Sequence, residues 1–287
     1  MTEKPDLPPL REIIARYNLG ALKSLGQNFL LDLNLTGRIA RTVPDLENSI
    51  VYEVGPGPGG LTRALLDHGA RQVVAIEQDR RCIAALSEVE RAYPDRLRVI
   101  EGDALDADER SLIGETGEGK VRVAANLPYN IGTALLVKWL TAVGDIPWYA
   151  SMTLMFQREV AERIVATPKS KAYGRLSVLA QFCAEVRIEF DIPPQAFVPS
   201  PKVTSSVVRL VPKRRPPDGP SLKVLEKVTA AAFGQRRKML RASLKSLTSD
   251  PASLLDAAGI APTLRAEDLS VADFCRLAKA YETLSLA

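Results

Sequence analysis

The sequence predicts an α/β chain, a Rossmann-like parallel sheet followed by a small all-helical C-terminal domain, and three observations lead there. Between about residues 50 and 210, short β-branched runs alternate with longer amphipathic stretches, the pattern of strands joined by crossover helices. The first of these runs leads directly into a glycine-rich turn and a helical stretch. Beyond the proline-rich, charged segment PKRRPPDGP (residues 212–220), strand patterning stops.

Taken in order, residues 10–17 and 33–43 read as helices, joined by KSLGQNFLLD, whose Gly26 and Asn28 break either periodicity. The strands are VYEV, VVAIE, LRVIEG, VRVAAN, MTLMF and SSVVRLV. After the linker, residues 222–233, 236–247, 251–258 and 271–284 read as helices. The expected domains are therefore 1–211 and 221–287, with 212–220 between them.

Of the 287 residues, 46% are hydrophobic and 25% charged, enough to bury one large core and a satellite. The greasiest segment, 133–143, is interrupted by Lys138 and bracketed by Gly132 and Gly144, too short to cross a bilayer. The N-terminal MTEKPDLPPL lacks the pattern of a secretory signal, so a cytoplasmic protein is expected, with a monomer as the default state. Cys82, Cys183 and Cys275 are scattered and His68 is the only histidine, so neither a disulfide framework nor a metal site is expected. Charge is uneven: residues 213–247 hold ten basic and two acidic side chains, +8 of a total of +4, leaving −4 elsewhere.

The glycine turn, Gly55-Pro56-Gly57-Pro58-Gly59-Gly60, satisfies GxGxxG and lets a ligand approach the backbone. Alone it suits a nicotinamide enzyme equally well. Glu77 ends the second strand 22 positions after Gly55, where a carboxylate can accept from ribose hydroxyls. Asp103 follows the third strand, where it could meet an exocyclic adenine amine or merely cap a turn.

The fourth strand runs into Asn126-Leu127-Pro128-Tyr129. The lone pair of an adenine amino nitrogen is delocalised into the ring. The Asn126 side-chain oxygen and the Leu127 carbonyl could both accept from that group and localise the lone pair for attack. Pro128 would stiffen the turn, and Tyr129 offers a ring for stacking. No general base is required, because the nitrogen becomes strongly acidic after alkylation. In FGQRRKMLRASLKSL, a predicted helix, Arg237, Arg241 and Lys245 recur every fourth residue; with Arg236 and Lys238 they form a cationic face suited to phosphates. A second basic stretch, residues 168–175, lies in a predicted loop.

These residues resemble the ribosomal RNA small-subunit adenine dimethyltransferases. The likeness spans nearly the whole chain and rests on LGQNFLLD, VGPGPGGLT, VVAIE, EGDAL, NLPYNI, QREVAERIVATPKSKAYGRLSV, FVPSPKVTSSVVRL and FGQRRKMLRASLK. The resemblance implies a class I methyltransferase using S-adenosylmethionine, held by Asn28, Leu30, Gly55, Gly57, Glu77, Asp103 and Asn126. It further implies that Phe197 faces Tyr129 across the target base. The implied substrate is a pair of adjacent adenosines in the 3′-terminal hairpin loop of 16S rRNA, each dimethylated at N6 within a nearly mature small subunit. Three alternatives stay open: a 23S rRNA adenine methyltransferase, an NAD(P)-dependent oxidoreductase, and a ribosome assembly factor, the last compatible with catalysis.

Overall fold

The computed structural model of the chain describes residues 5–114, 120–142, 147–214 and 218–286. Of the linker, Arg215, Pro216 and Pro217 lie outside the described residues, as do Val143 and Gly144 and the first four residues. In chain order the elements are α1 (Leu10–Arg16), β1 (Phe29–Leu30), α2 (Leu33–Ala40), β2 (Ile50–Val54), α3 (Gly60–Asp67), β3 (Gln72–Glu77), α4 (Arg80–Ala92), β4 (Leu97–Glu101), α5 (Glu109–Ile113) and β5 (Val121–Ala125). There follow α6 (Gly132–Thr141), β6 (Ser151–Gln157), α7 (Arg158–Val165), α8 (Arg175–Cys183), β7 (Ala184–Ile192), β8 (Phe197–Val198) and β9 (Ser205–Pro212). The last helices are α9 (Leu222–Gly234), α10 (Leu240–Ser243), α11 (Pro251–Ala257) and α12 (Val271–Leu286).

Seven strands form one sheet in the order β4-β3-β2-β5-β6-β9-β7. From β4 to β6 the neighbours are parallel, so the carboxyl ends of β2, β3, β4 and β5 share one edge. The strand order reverses between β2 and β5, and ligand crevices of open α/β sheets form at such a switch point. The central strands are largely apolar on both faces, as a sheet covered by helices requires: Val51, Val73, Ala75 and Val123 are all fully buried, with Glu53 and Arg122 the charged exceptions in β2 and β5. β9 runs antiparallel to β6, which corrects the all-parallel expectation, and β7 is a strand that the sequence reading did not separate from its surroundings. Its burial alternates irregularly and charged residues occupy Glu185, Arg187, Glu189 and Asp191, as suits an edge. A second, two-stranded antiparallel ribbon pairs Phe29 with Val198 and Leu30 with Phe197.

The chain divides into two compact units, residues 1–161 with 187–212, and residues 162–186 with 213–287. The second unit thus takes in part of α7, all of α8 and the basic loop between them, whereas the sequence alone places these in the first. Within it, Tyr173 is fully buried with its ring edge-on to Phe233, which stacks on Phe274. The predicted helix over 236–247 is also corrected. Residues 235–239 form turns, with Lys238 N–H donating to the Gln235 carbonyl and Met239 bridging Arg265, and only Leu240–Ser243 is α-helical before a single 3₁₀ turn. Arg237 therefore does not share a helix face with Arg241 and Lys245. No helix among the described residues is long and apolar enough to cross a membrane.

Candidate active site

A cleft of about 1130 Å³, including its open mouth, runs along the shared carboxyl edge of β2–β5 and is roofed by residues 24–30. Asn28, Leu30, Gly55, Gly57, Glu77, Asp103, Asn126, Leu127, Pro128 and Tyr129 all line it. Two glycines are required by close approach. Gly57 has φ +55° and a Cβ there would lie 3.0 Å from the Phe29 ring, while a Cβ on Gly60 would lie 2.5 Å from the Leu30 carbonyl oxygen. The roof therefore packs directly on the glycine turn.

Glu77 is 6% exposed at the end of β3. One oxygen accepts from the Gly57 N–H (2.9 Å), the other from the N–H groups of Gln78 and Asp79 (both 2.9 Å). Burial pushes its carboxyl above the usual range, and those three donors oppose the shift. A carboxylate has about four lone-pair sites, so capacity remains for a ribose hydroxyl. Asp103 accepts from the Leu105 N–H at 2.9 Å with one oxygen. The loop beyond Asp103 is pinned by Lys138, which donates to the carbonyls of Ala104 (2.9 Å) and Ala107 (2.6 Å) and pairs with Glu109 (2.8 Å).

Asn126 follows β5 directly. Its Nδ2 donates to the Asn28 carbonyl at 2.9 Å, and because that partner can only accept, the amide is fixed with Oδ1 as its acceptor end. The next residues turn sharply, the Pro128 carbonyl accepting from the N–H groups of Ile131 and Gly132. The Tyr129 hydroxyl shares a 2.6 Å hydrogen bond with Ser205 Oγ, and burial raises its pKa. An acceptor, a nearby backbone carbonyl and an anchored aromatic ring thus stand beside the glycine turn.

Phe197 is not brought to this group. It is 2% exposed, packs in the core with Leu30, Met155 and Val207, and does not line the cleft. In the second unit Arg237, Lys238, Arg241 and Lys245 are exposed. Arg236 is tied down instead: it pairs with Glu267 (3.1 Å) and donates to the carbonyls of Ser170 (3.5 Å) and Lys171 (2.8 Å). Sequence reasoning missed Glu53 and Gln27, which also line the cleft. An acid inside an otherwise apolar strand signalled Glu53; nothing in spacing signalled Gln27.

The donor set fits a nucleoside-bearing cofactor: glycine backbone without Cβ atoms, a buried acid with a lone pair to spare and a second acid on the next strand. Among the described residues no cluster of His, Cys, Asp and Glu is placed to hold a metal.

Comparison with known proteins agrees. The profile of the family described as "Ribosomal RNA adenine dimethylase" matches residues 19–283. The protein named ribosomal RNA small subunit methyltransferase A of Xanthobacter autotrophicus is 62% identical over 99% of this chain and 97% of its own. The protein of that name in Mesorhizobium japonicum is 64% identical over 94% and 97%. Among solved structures, a dimethyladenosine transferase from Plasmodium falciparum shares the fold with TM-score 0.70 at 24% identity, covering 86% of this chain and 94% of that one. The 23S rRNA methyltransferase ErmE follows at TM-score 0.65 and 27% identity, covering 89% and 100%. The chain belongs to the ribosomal RNA adenine dimethylase family.

Proposed function

We propose that this protein is an rRNA adenine N6,N6-dimethyltransferase that uses S-adenosylmethionine to dimethylate two adjacent adenosines in the 3′-terminal hairpin loop of 16S rRNA. The observation that carries the reading is Asn126, whose amide is oriented by the Asn28 carbonyl beside the glycine turn. The names of the 62–64% identical relatives favour the small subunit over 23S rRNA as substrate.

S-adenosylmethionine, when bound, supplies a methyl group on a sulfonium. Asn28, Leu30, Gly55, Gly57, Glu77, Asp103 and Asn126 would hold it. Asn126 Oδ1 and the Leu127 carbonyl accept from the adenine amino group, which localises its lone pair for attack. Tyr129, steadied by Ser205, stacks on the extruded base. After transfer the nitrogen is cationic and its proton leaves to water.

Arg237, Lys238, Arg241 and Lys245, with Lys169 and Lys171 of the neighbouring loop in the same unit, neutralise RNA phosphates. Arg236 holds that loop in place. The protein acts as a cytoplasmic monomer on the small subunit, and a role in subunit assembly is compatible with the same surface.

Incubation with tritiated S-adenosylmethionine and unmodified small or large subunits tests the reading. Label in N6,N6-dimethyladenosine of 16S rRNA, lost in Asn126→Ala, supports it. Label in 23S rRNA alone would move the substrate to the large subunit, and NADH protection without methyl transfer would favour the oxidoreductase.

A further inference from the structure

We infer that Gln27, Asp79 and Arg81 form a latch that positions Asn126 for the methyl transfer proposed above, an inference that rests on that reading. Asn126 is oriented by one backbone carbonyl, that of Asn28, which belongs to the roof rather than to the sheet. What holds that carbonyl in place decides where Oδ1 stands.

The preceding residue supplies the hold. Gln27 Oε1 accepts from the Leu22 N–H at 2.8 Å, which fixes its amide with Nε2 outward, and Nε2 donates to Asp79 Oδ2 at 3.0 Å. Asp79 is 6% exposed and is itself held. Arg81 donates to both its oxygens, Nε to Oδ1 (3.0 Å) and Nη2 to Oδ2 (2.7 Å). The Arg81 guanidinium also reaches the carbonyls of Asn18 and Gly20, both at 3.2 Å, so it grips the chain leading into the roof. The Asp79 N–H donates to Glu77. A continuous polar chain thus runs from the acid at the end of β3, through Asp79 and Gln27, to the roof that orients Asn126. A partly buried charge-assisted network of this kind rigidifies what it touches. At its other end the roof is held by the two-residue β1–β8 ribbon and by the packing of Phe29 and Leu30 on the glycine turn.

These are positioning residues, since none is placed to touch the reacting atoms. A swap of donor and acceptor tests the latch in the full-length protein. Gln27→Glu sets two carboxylates face to face, and methyl transfer at saturating cofactor and small subunits is expected to fall about tenfold or more, the scale of a hydrogen bond to a charged group. Adding Asp79→Asn lets the amide nitrogen donate to the new carboxylate while its oxygen still caps α4 and accepts from Arg81 Nε. Arg81 Nη2, deprived of Oδ2, re-pairs with the new carboxylate, and the rate is expected to return to within about threefold of wild type. Melting temperature, and amide exchange across residues 22–30, are read on the same proteins. Exchange should rise in Gln27→Glu and fall back in the double variant. Single and double variants all within twofold of wild type in rate would overturn the inference, as would a double variant no better than Gln27→Glu. If the wild type transfers no methyl group to RNA, the proposed function fails on its own. Amide exchange then decides the latch: loosening and repair would support it, and an unchanged roof would overturn it.

Discussion

Glu53 stands fully buried inside the sheet, two residues before the glycine turn, with Thr62 donating to it at 2.7 Å. Burial pushes its carboxyl up from 4.5 to about 8, Thr62 opposing and Glu77 adding. A carboxyl whose pKa is raised on folding contributes stability fully present below about 4.5, which is lost as pH climbs towards about 8. Glu53→Gln should therefore melt higher than wild type at pH 8 and gain little at pH 5. Melting curves across that range check it, and parallel pH profiles for the two proteins would contradict it. Gly57→Ala is the complementary case. The new methyl meets both a left-handed backbone and the Phe29 ring at 3.0 Å, so calorimetry should show at least about tenfold weaker cofactor binding. Glu53 was half-legible in sequence as an acid within a strand, but its depth was not, because burial is set by neighbours on β3 and α3 that no local pattern names.

At the scale of elements, β2 to β6 and the terminal helices were readable because each carries its own period or cap, as Asp79 before α4 and Asp250 before α11 do. What escaped was decided by distant pairing. The β1–β8 ribbon joins residues about 170 apart and is too short to carry a period. The segment 236–247 has a helical stripe, yet Leu240 N–H is drawn to the Leu264 carbonyl and Met239 to Arg265, so tertiary pairing overrides propensity. The distinction between Arg236 and Arg237 follows. Arg237→Ala should lower the slope of log affinity for RNA against log salt by about one, as loss of a phosphate contact does. Arg236→Ala should also raise amide exchange in residues 167–173, which Arg237→Ala should leave unchanged. Equal effects of both on that loop would contradict the division of roles.

For the whole molecule, the sequence reads as two domains contiguous in the chain, whereas the two compact units are discontinuous. Residues 162–186 join the second unit because Tyr173 and α8 find their apolar partners on α9 and α12, a matter of three-dimensional packing with no punctuation in the chain. A protein cut after residue 212 should therefore expose Tyr173 and the α8 face, bind a hydrophobic dye and aggregate. A well-folded, soluble 1–212 fragment would argue against that division. The proposed site, by contrast, was legible where Gly55, Glu77, Asp103 and Asn126 each follow a strand whose end the parallel sheet brings to one cleft, and not at Phe197 or Gln27, which no strand end marks.

The most direct measurement is single-turnover methyl transfer by Asn126→Ala, at saturating S-adenosylmethionine and unmodified small subunits, alongside its melting temperature. Removing a preorganised acceptor from a reacting amine should slow the step by about 10² or more while the protein melts as wild type does. A folded Asn126→Ala protein that dimethylates 16S rRNA at the wild-type rate would contradict the account.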